Sequence, residues 1–324
     1  MQYTTLGRTG LKVSAAGLGC GGFSRLGLGT GRSEAEAVAL VRQALDLGVS
    51  LFDTAAVYGT ERVLGEAIKS VPRDSVVIAT KAWIPHREGR SAADRAVQSL
   101  DNSLRQLGTD YIDIFQLHGV SPQAYDQARD IIAPALLKER EKGKIKYLGV
   151  TETGSSDAEH DMVRRAVEDR IWDTVMVALH MMHQNARSRV FPLTMANRVG
   201  TLLMFAVRNI FSKPERLATA LRELAASRQL PPWLADAPNP LGFLIHEWGA
   251  RTITEAAYRF VRHEPGVDVV LFGTGDPEHL RENITAILAP PLPLADRQTL
   301  TKLFSHLVGV GLDPPYSMPG LSSA

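Results

Sequence analysis

One cysteine, Cys20, is all that 324 residues provide. A lone thiol excludes an internal disulfide framework and any cysteine-rich metal site, and it fits a reducing compartment. Excess charge is missing too: 36 Lys and Arg face 35 Asp and Glu, for a formal net charge of +1 at pH 7. A chain so close to neutral carries no electrostatic footprint for nucleic acid or an anionic membrane, so small molecules are the expected partners. No uninterrupted apolar run approaches the roughly 18 residues that a membrane span needs. The N-terminal MQYTTLGRTG has neither the basic nor the apolar region of a secretory signal, so the expected location is the cytoplasm. Neither HExxH nor a paired-cysteine ligand set occurs, so no metal is expected. Low-complexity linkers are absent before the C-terminal tail, and the element spacing is too irregular for a solenoid.

What the chain does have is 44% hydrophobic residues, enough for one large core or two modest ones. Eight short apolar runs alternate with longer amphipathic stretches: KVSAAGLG, VSLFDT (49–54), VVIATK (76–81), YIDIFQLH (111–118), KYLGVTE (146–152), TVMVAL (174–179), GTLLMFA (200–206) and DVVLFG (268–273). Between them lie helical patterns. Ser33 with Glu36 is a good helix start, and Ser91 opens a helix with Val97, Leu100, Leu104 and Leu107 on its apolar face and Gly108 as its stop. Strand alternating with helix means parallel strands joined by crossovers, and nearly continuous apolar strands are covered on both faces. Eight such units make an α/β fold, a closed (β/α)₈ TIM barrel spanning 1–324 as a single domain. Ahead of the first unit, QYTTLGRTGLKVS reads as an N-terminal β-hairpin that plugs the barrel bottom. A long insertion, about 207–251, separates the seventh and eighth runs, and an extended C-terminal tail closes the chain.

Barrel active sites lie at the carboxyl ends of the strands. Asp53 ends the second run, Lys81 the third and His118 the fourth, with Tyr58 in the loop just after Asp53. Each alone has an ordinary structural explanation as a cap, a rim charge or a carbonyl partner, but together they converge on one mouth. GLGCGG, residues 17–22, fits the dinucleotide fingerprint G-x-G-x-x-G, but that fingerprint needs a helix opening at its third glycine, and here the first good start is Ser33. The glycines read instead as the first strand's exit loop.

The same residues resemble a known family. FDTA followed by YG, Glu61 and LGEA, then a TK, then DIFQLH, is similar to the aldo-keto reductases, and the likeness runs from LGRTGLKVSAAGLGCGG through GKIKYLGV to PGVDVVLFGTGDPEHLREN. The resemblance implies a metal-free barrel that uses a nicotinamide cofactor, usually NADP(H) with NAD(H) as the other possibility, to reduce aldehydes and ketones or to oxidise sugars and alcohols in reverse. It assigns Asp53, Tyr58, Lys81 and His118 as catalytic. For the carbonyl reduction so implied, hydride arriving at carbon leaves negative charge on oxygen and calls for a proton donor within hydrogen-bond reach. Tyrosine donates reluctantly at its ordinary pKa near 10, and a lysine ammonium about 4 Å away contributes roughly 4 kcal/mol at an effective dielectric near 20, around three pKa units before burial opposes it. Asp53 would keep Lys81 charged and aimed, and His118 would donate to the carbonyl oxygen. The resemblance assigns Thr151, Glu152, Met176, Phe205, Arg208, Gly273, Thr274, Gly275, His279, Glu282 and Asn283 to the cofactor, with Phe205 stacked on the nicotinamide ring. Where the family has Ser-Asn and Gln around the carboxamide this chain has Thr151, Glu152 and Met176, and where members grip the 2′-phosphate with Lys or Arg it has Gly273, Asp276 and His279. Phe23, Trp83, Trp233 and Trp248 are the expected substrate-binding aromatics, with 231–246 as a candidate lid. A non-catalytic or redox-sensing NADP-binding barrel is the competing expectation.

Overall fold

A computed structural model describes residues 1–85 and 91–312. Strands β1 (Tyr3–Thr5) and β2 (Lys12–Ser14) form an antiparallel hairpin around the turn Gly7–Thr9. Eight parallel strands then close on themselves: β3 (Ala16–Gly19), β4 (Leu51–Asp53), β5 (Val77–Ala82), β6 (Ile112–Val120), β7 (Ile145–Glu152), β8 (Thr174–Ala178), β9 (Gly200–Met204) and β10 (Val269–Phe272). Each pairs with its sequence neighbour, and β10 returns to β3 through Val270 and Ala16. The run KVSAAGLG is divided at Ala15, its first half pairing in the hairpin and its second in the barrel.

Alternation along the strands builds two cores. Side chains turned inward form a small cluster of Leu51, Val77, Ala79, Ile114, Met176, Leu202 and Val269, and Leu6 and Val13 of the hairpin join it from below. The hairpin therefore plugs the barrel, as its sequence predicts. Outward side chains such as Phe52, Ile78, Phe115 and Leu148 pack with the surrounding helices in a second, larger core.

The helices begin where the caps say. Ser33 Oγ accepts from Glu36 N–H while the Glu36 carboxylate accepts from Ser33 N–H at 2.8 Å, closing a capping box on helix Glu34–Asp46. Helix Ser91–Leu107 is rotated from its expected face: Ala92, Ala96, Leu100, Ser103 and Leu107 are buried, while Val97 and Leu104 sit at the edge. Ala96 and Ser103 thus take buried places that hydrophobicity alone would give to larger side chains.

Residues 207–251 fold as helices Asn209–Ser212, Pro214–Ala226 and Pro232–Asp236 and a tight turn Gly242–Leu244. Leu217, Leu221 and Leu224 are buried as their spacing predicts, and Leu234, Leu241 and Leu244 are fully so. The stretch is tied to outer helices: His246 Nε2 meets Asp296 Oδ2 at 3.0 Å, and Arg259 Nη1 donates to Gly249 O. The tail beyond 312 lies outside the described residues. Among the described residues no helix is long and apolar enough to cross a membrane.

Candidate active site

Asp53, Lys81 and His118 sit at inward-facing positions near the carboxyl ends of adjacent strands β4, β5 and β6, and Tyr58 closes a single turn, Ala56–Tyr58, immediately after β4. Lys81 is 1% exposed, and its Nζ donates to Asp53 Oδ1 at 2.7 Å, Asp53 Oδ2 at 2.6 Å and Thr54 O at 2.9 Å. Three donors meet three acceptors, so the ammonium is fixed in one position. Gln116, two residues before His118 on the same inward row, donates from Nε2 to Asp53 Oδ1 at 3.2 Å. Above this pair the Tyr58 hydroxyl and His118 Nε2 lie 3.3 Å apart, with the rings edge-on, and Lys81 Nζ is 5.3 Å from the Tyr58 ring centroid. All four residues that the sequence singled out meet at one mouth.

Tyr58 keeps its place against bare backbone. A Cβ built on Gly21 would lie 2.3 Å from Tyr58 Cε2, so the ring occupies the space a side chain there would take. Gly21 of the exit loop thereby makes room for the ring. Gly21→Ala is expected to push the phenol away from His118 and lower kcat/KM by about 100-fold with an unchanged circular dichroism spectrum, because a shift near 1 Å suffices for such a loss. Activity within a factor of two of the parent would show that the ring relaxes without consequence.

Protonation follows from burial. The desolvated His118 imidazole is pushed down to about 3, with the nearby Lys81 charge adding to the effect, so it is neutral at any working pH. Its Nδ1 is buried and has no partner among the described residues. An unpaired buried acceptor is tolerated better than an unpaired donor, so the proton belongs on Nε2, facing Tyr58. Burial lifts the Tyr58 phenol above its ordinary value, and Lys81 pulls it down by less. The expected poising of Tyr58 by lysine is thus outweighed by desolvation. Lys81 itself is held above its usual value: burial opposes its charge, but Asp53 and then Tyr58 more than compensate.

Of the residues assigned to the cofactor, Thr151 is turned inward, and its hydroxyl accepts from Gly119 N–H at 2.7 Å, pinning the backbone just after His118. Glu152 is turned outward by the alternation of the strand. Its Oε1 accepts from Ala178 N–H at 2.7 Å and its Oε2 meets His160 Nδ1 at 2.8 Å. Both of its oxygens are thus engaged away from the mouth. Met176 lies in the inner core, beneath the mouth. Phe205, just beyond β9, holds a left-handed φ of 71° that a bulky residue rarely adopts, and the Arg208 guanidinium stacks 4.2 Å above its ring. Gly273 and Thr274 follow β10, and a Cβ on Gly275 would lie 2.5 Å from Gly27 N, so the 273–276 turn touches the 24–31 loop backbone to backbone. Asp276 caps helix Pro277–Leu288 by accepting from Glu278 N–H at 2.8 Å and His279 N–H at 3.3 Å, and it also accepts from Arg32 Nη2 at 2.9 Å. His279 and Glu282 are exposed on that helix and Asn283 is half-buried. Arg32 was invisible in sequence, being 244 residues from its partner, and His160 carried no motif. Gln116 had a signal, the period of two from His118.

The aromatics assigned to substrate are all surface residues: Phe23 is 70% exposed, Trp83 43%, Trp233 59% and Trp248 77%. Trp83 alone of these lines a pocket with His118. Among the described residues no group of three or more His, Cys, Asp or Glu is arranged to hold a metal ion.

The sequence pattern of the Aldo/keto reductase family matches residues 17–304. Over almost its whole length the chain is similar to the aldo-keto reductase YhdN of Bacillus subtilis, 28% identical over 335 residues and covering 98% of each chain. It is 40% identical over 158 residues to L-galactose dehydrogenase of Arabidopsis thaliana, which is 47% of this chain and 48% of that one. The solved structure of an aldo-keto reductase from Klebsiella pneumoniae in complex with NADPH superposes with a TM-score of 0.66 at 24% identity over 100% of both chains, a likeness of fold. With the family pattern running from the first barrel strand to the last described helix, the chain belongs to the aldo/keto reductase family.

Proposed function

We propose that this chain reduces an aldehyde or ketone at the expense of NAD(P)H, and oxidises the corresponding alcohol in reverse, with Tyr58 as general acid and base. The observation that carries this reading is the Tyr58 hydroxyl and His118 Nε2 at 3.3 Å over a buried Lys81–Asp53 ion pair. Two donors that close can share one carbonyl oxygen: His118 polarises and orients it, and Tyr58 delivers the proton as charge develops. Lys81, whose charge lowers the Tyr58 phenol against the opposing effect of burial, then favours the resulting tyrosinate. Asp53 keeps that ammonium charged and immobile, since an unpaired charge at this depth would be costly.

The residues around the mouth fit a nicotinamide dinucleotide. Gly19 and Gly273 bring bare backbone together at their strand ends, where a Cβ on Gly19 would lie 3.3 Å from Phe272 O, Phe205 offers a half-buried ring, and Thr153 Oγ1 is a buried hydroxyl without a partner among the described residues. The cofactor, when bound, supplies the hydride. Against a binding-only or redox-sensing role stand the complete tetrad and Cys20, whose buried thiol is pushed far above its usual value and is inert. The direct test mixes the protein with NADPH or NADH and a panel of aldehydes and follows loss of the reduced nicotinamide. No consumption with any pair would sink the reading.

NADP(H) is the family default, but the charges near helix Pro277–Leu288 favour weak discrimination against NAD(H). Asp276 already neutralises Arg32 and accepts from both helix N–H groups, as a 2′-phosphate otherwise would. Asp276→Ser keeps a helix cap while releasing Arg32, and is expected to tighten NADPH binding by about tenfold or more and leave NADH nearly unchanged. Dissociation constants from fluorescence titration decide. NADPH held about a thousandfold tighter than NADH by the unsubstituted chain would refute the charge reading.

A further inference from the structure

We propose that Gln116 is a positioning residue for this chemistry: its buried amide holds the Asp53 carboxylate in the one orientation that keeps the Lys81 ammonium beneath Tyr58. The inference rests on the reductase reading of the site and adds a side chain to its machinery. Gln116 is fully buried. It is the register partner of Lys81 across β5 and β6, so two side chains from adjacent strands run side by side into the barrel and reach the same carboxylate on β4.

The two donors hold that carboxylate differently. Lys81 Nζ meets both oxygens, at 2.7 and 2.6 Å, and a pair joined in this way can swing as a unit about the Asp53 Cβ–Cγ bond. The Gln116 amide, 3.2 Å from Oδ1 and anchored one strand further round, opposes that swing. Its nitrogen must face Asp53, because the amide oxygen in its place would repel the carboxylate. Burial pushes the Asp53 carboxyl up, and Lys81 first and Gln116 after it pull against burial. Without the amide, a proton passes more readily from Lys81 Nζ to Asp53, leaving a neutral amine beside a neutral acid. Tyr58 then loses the charge that favours its anion.

The barrel interior is shaped to seat this side chain. Gly149 is its register partner on β7, and a Cβ built there would lie 2.8 Å from Gln116 Cγ and 2.5 Å from Thr174 Oγ1, so the glycine leaves the stem of the amide its room. The inner core around it is apolar, with Leu51, Ala79, Ile114 and Met176. Within that core Gln116 Oε1 is buried and has no partner among the described residues. An unpaired buried carbonyl costs stability, whereas methionine, of similar length and shape, would fill the place without one. Stability alone would choose methionine, and the bond to Asp53 is what glutamine adds.

The test uses the full chain with NADPH and propanal, benzaldehyde and glyceraldehyde, each variant being assayed on the aldehyde that the parent reduces fastest. Gln116→Met is expected to lower kcat about tenfold at pH 6 and pH 7, with KM and the NADPH dissociation constant within a factor of about two. The groups that face the Tyr58 phenol are Lys81, Asp53, the Cys20 thiol, which burial keeps protonated, and the neutral His118, so a weakened Lys81–Asp53 pair is read there. The alkaline fall of reduction is expected to move to higher pH by about one unit, because a phenol less favoured by the ammonium ionises later. The denaturant midpoint of Gln116→Met is expected at or above the parent's, whereas loss of a merely structural glutamine would lower stability and leave the alkaline limb in place. Gln116→Glu, whose buried carboxyl beside Asp53 stays protonated at pH 6 and donates in place of the amide, is expected to keep kcat at that pH within about threefold of the parent. A parent-like kcat in Gln116→Met overturns the proposal, as does a loss of kcat with an unmoved alkaline limb or an equal loss in both variants at pH 6. A parent that consumes NADPH with none of the three aldehydes overturns the reductase reading and this proposal with it.

Discussion

Tyr58→Phe is expected to lower carbonyl turnover by about 10²- to 10⁴-fold, the usual worth of a positioned general acid, while cofactor dissociation constants stay within a factor of about two. The substitution removes one oxygen from a ring that is otherwise held by Gly21 behind it and His118 at its edge, so the packing survives. The loss should fall on kcat, because proton delivery is needed only as the transition state forms. His118 remains as a donor, which accounts for residual turnover. The pH profile carries a second signature. A general acid must be protonated in the reductive direction, and burial holds the Tyr58 phenol above its ordinary value. Reduction should therefore stay level through neutral pH and fall only in alkali, and His118, pushed down to about 3, should contribute no acid limb between pH 5 and 8. Full activity in Tyr58→Phe would end the mechanism, and a limb near neutrality would show that Lys81 outweighs burial once cofactor is bound.

The barrel could be read from the sequence because each of its strands is a nearly continuous apolar run that burial on both faces requires. Asp53, Lys81 and His118 stood out because they are charged or polar residues ending such runs, and strand ends converge by geometry. The cofactor side was less legible for three separate reasons. Glu152 and Thr151 look equivalent in a one-dimensional pattern, yet alternation sends one into the mouth and the other into the wall. Arg32 reaches Asp276 only because the 24–31 loop lies against the turn after β10, a contact between the two ends of the chain that no local period encodes. Helix Ser91–Leu107 buries Ala96 and Ser103 ahead of Val97 and Leu104, a choice that hydrophobicity alone does not encode.

The residues that the sequence left unmarked also set the pH range in which the fold persists. His160 meets Glu152 Oε2 through Nδ1, while its Nε2 faces Asn185 Oδ1 at 3.0 Å, and the Asn185 amide is oriented by donating Nδ2 to Ala158 O at 2.8 Å. Both ring nitrogens therefore face acceptors, and His160 is an imidazolium. Burial opposes that charge, but Glu152 outweighs it and raises the pKa above the ordinary value. Beside it His183 and His180 are fully buried, and their Nδ1 atoms accept from Gly309 N–H at 3.1 Å and Met182 N–H at 3.2 Å. Desolvation pushes His183 down to about 3 and His180 well below its usual value.

The two kinds of histidine act on opposite sides of pH 6.5. The raised His160 stabilises the fold fully below the unfolded value, and its contribution is lost as pH rises through the folded one. The depressed pair does the reverse: below pH 6.5 the unfolded chain takes up protons that the fold refuses, each at a cost approaching about 1.4 kcal/mol per pH unit. Stability is expected to fall steeply from pH 6 toward pH 4.5. Buried Asp53 and Glu61, whose carboxyls burial raises, lean the other way, so the comparison has to be between variants. His183→Asn, which keeps an acceptor for Gly309 N–H, is expected to remove about half of the acid slope that His180 and His183 contribute. His160→Gln is expected to flatten the decline above pH 6.5 and to lower stability most in acid, by leaving Glu152 without its cation. Denaturant midpoints at pH 5, 6.5 and 8 measure both. If His183→Asn retains the parent's full acid slope, the imidazole is protonated in the folded state and the buried, neutral ring assigned to it is wrong.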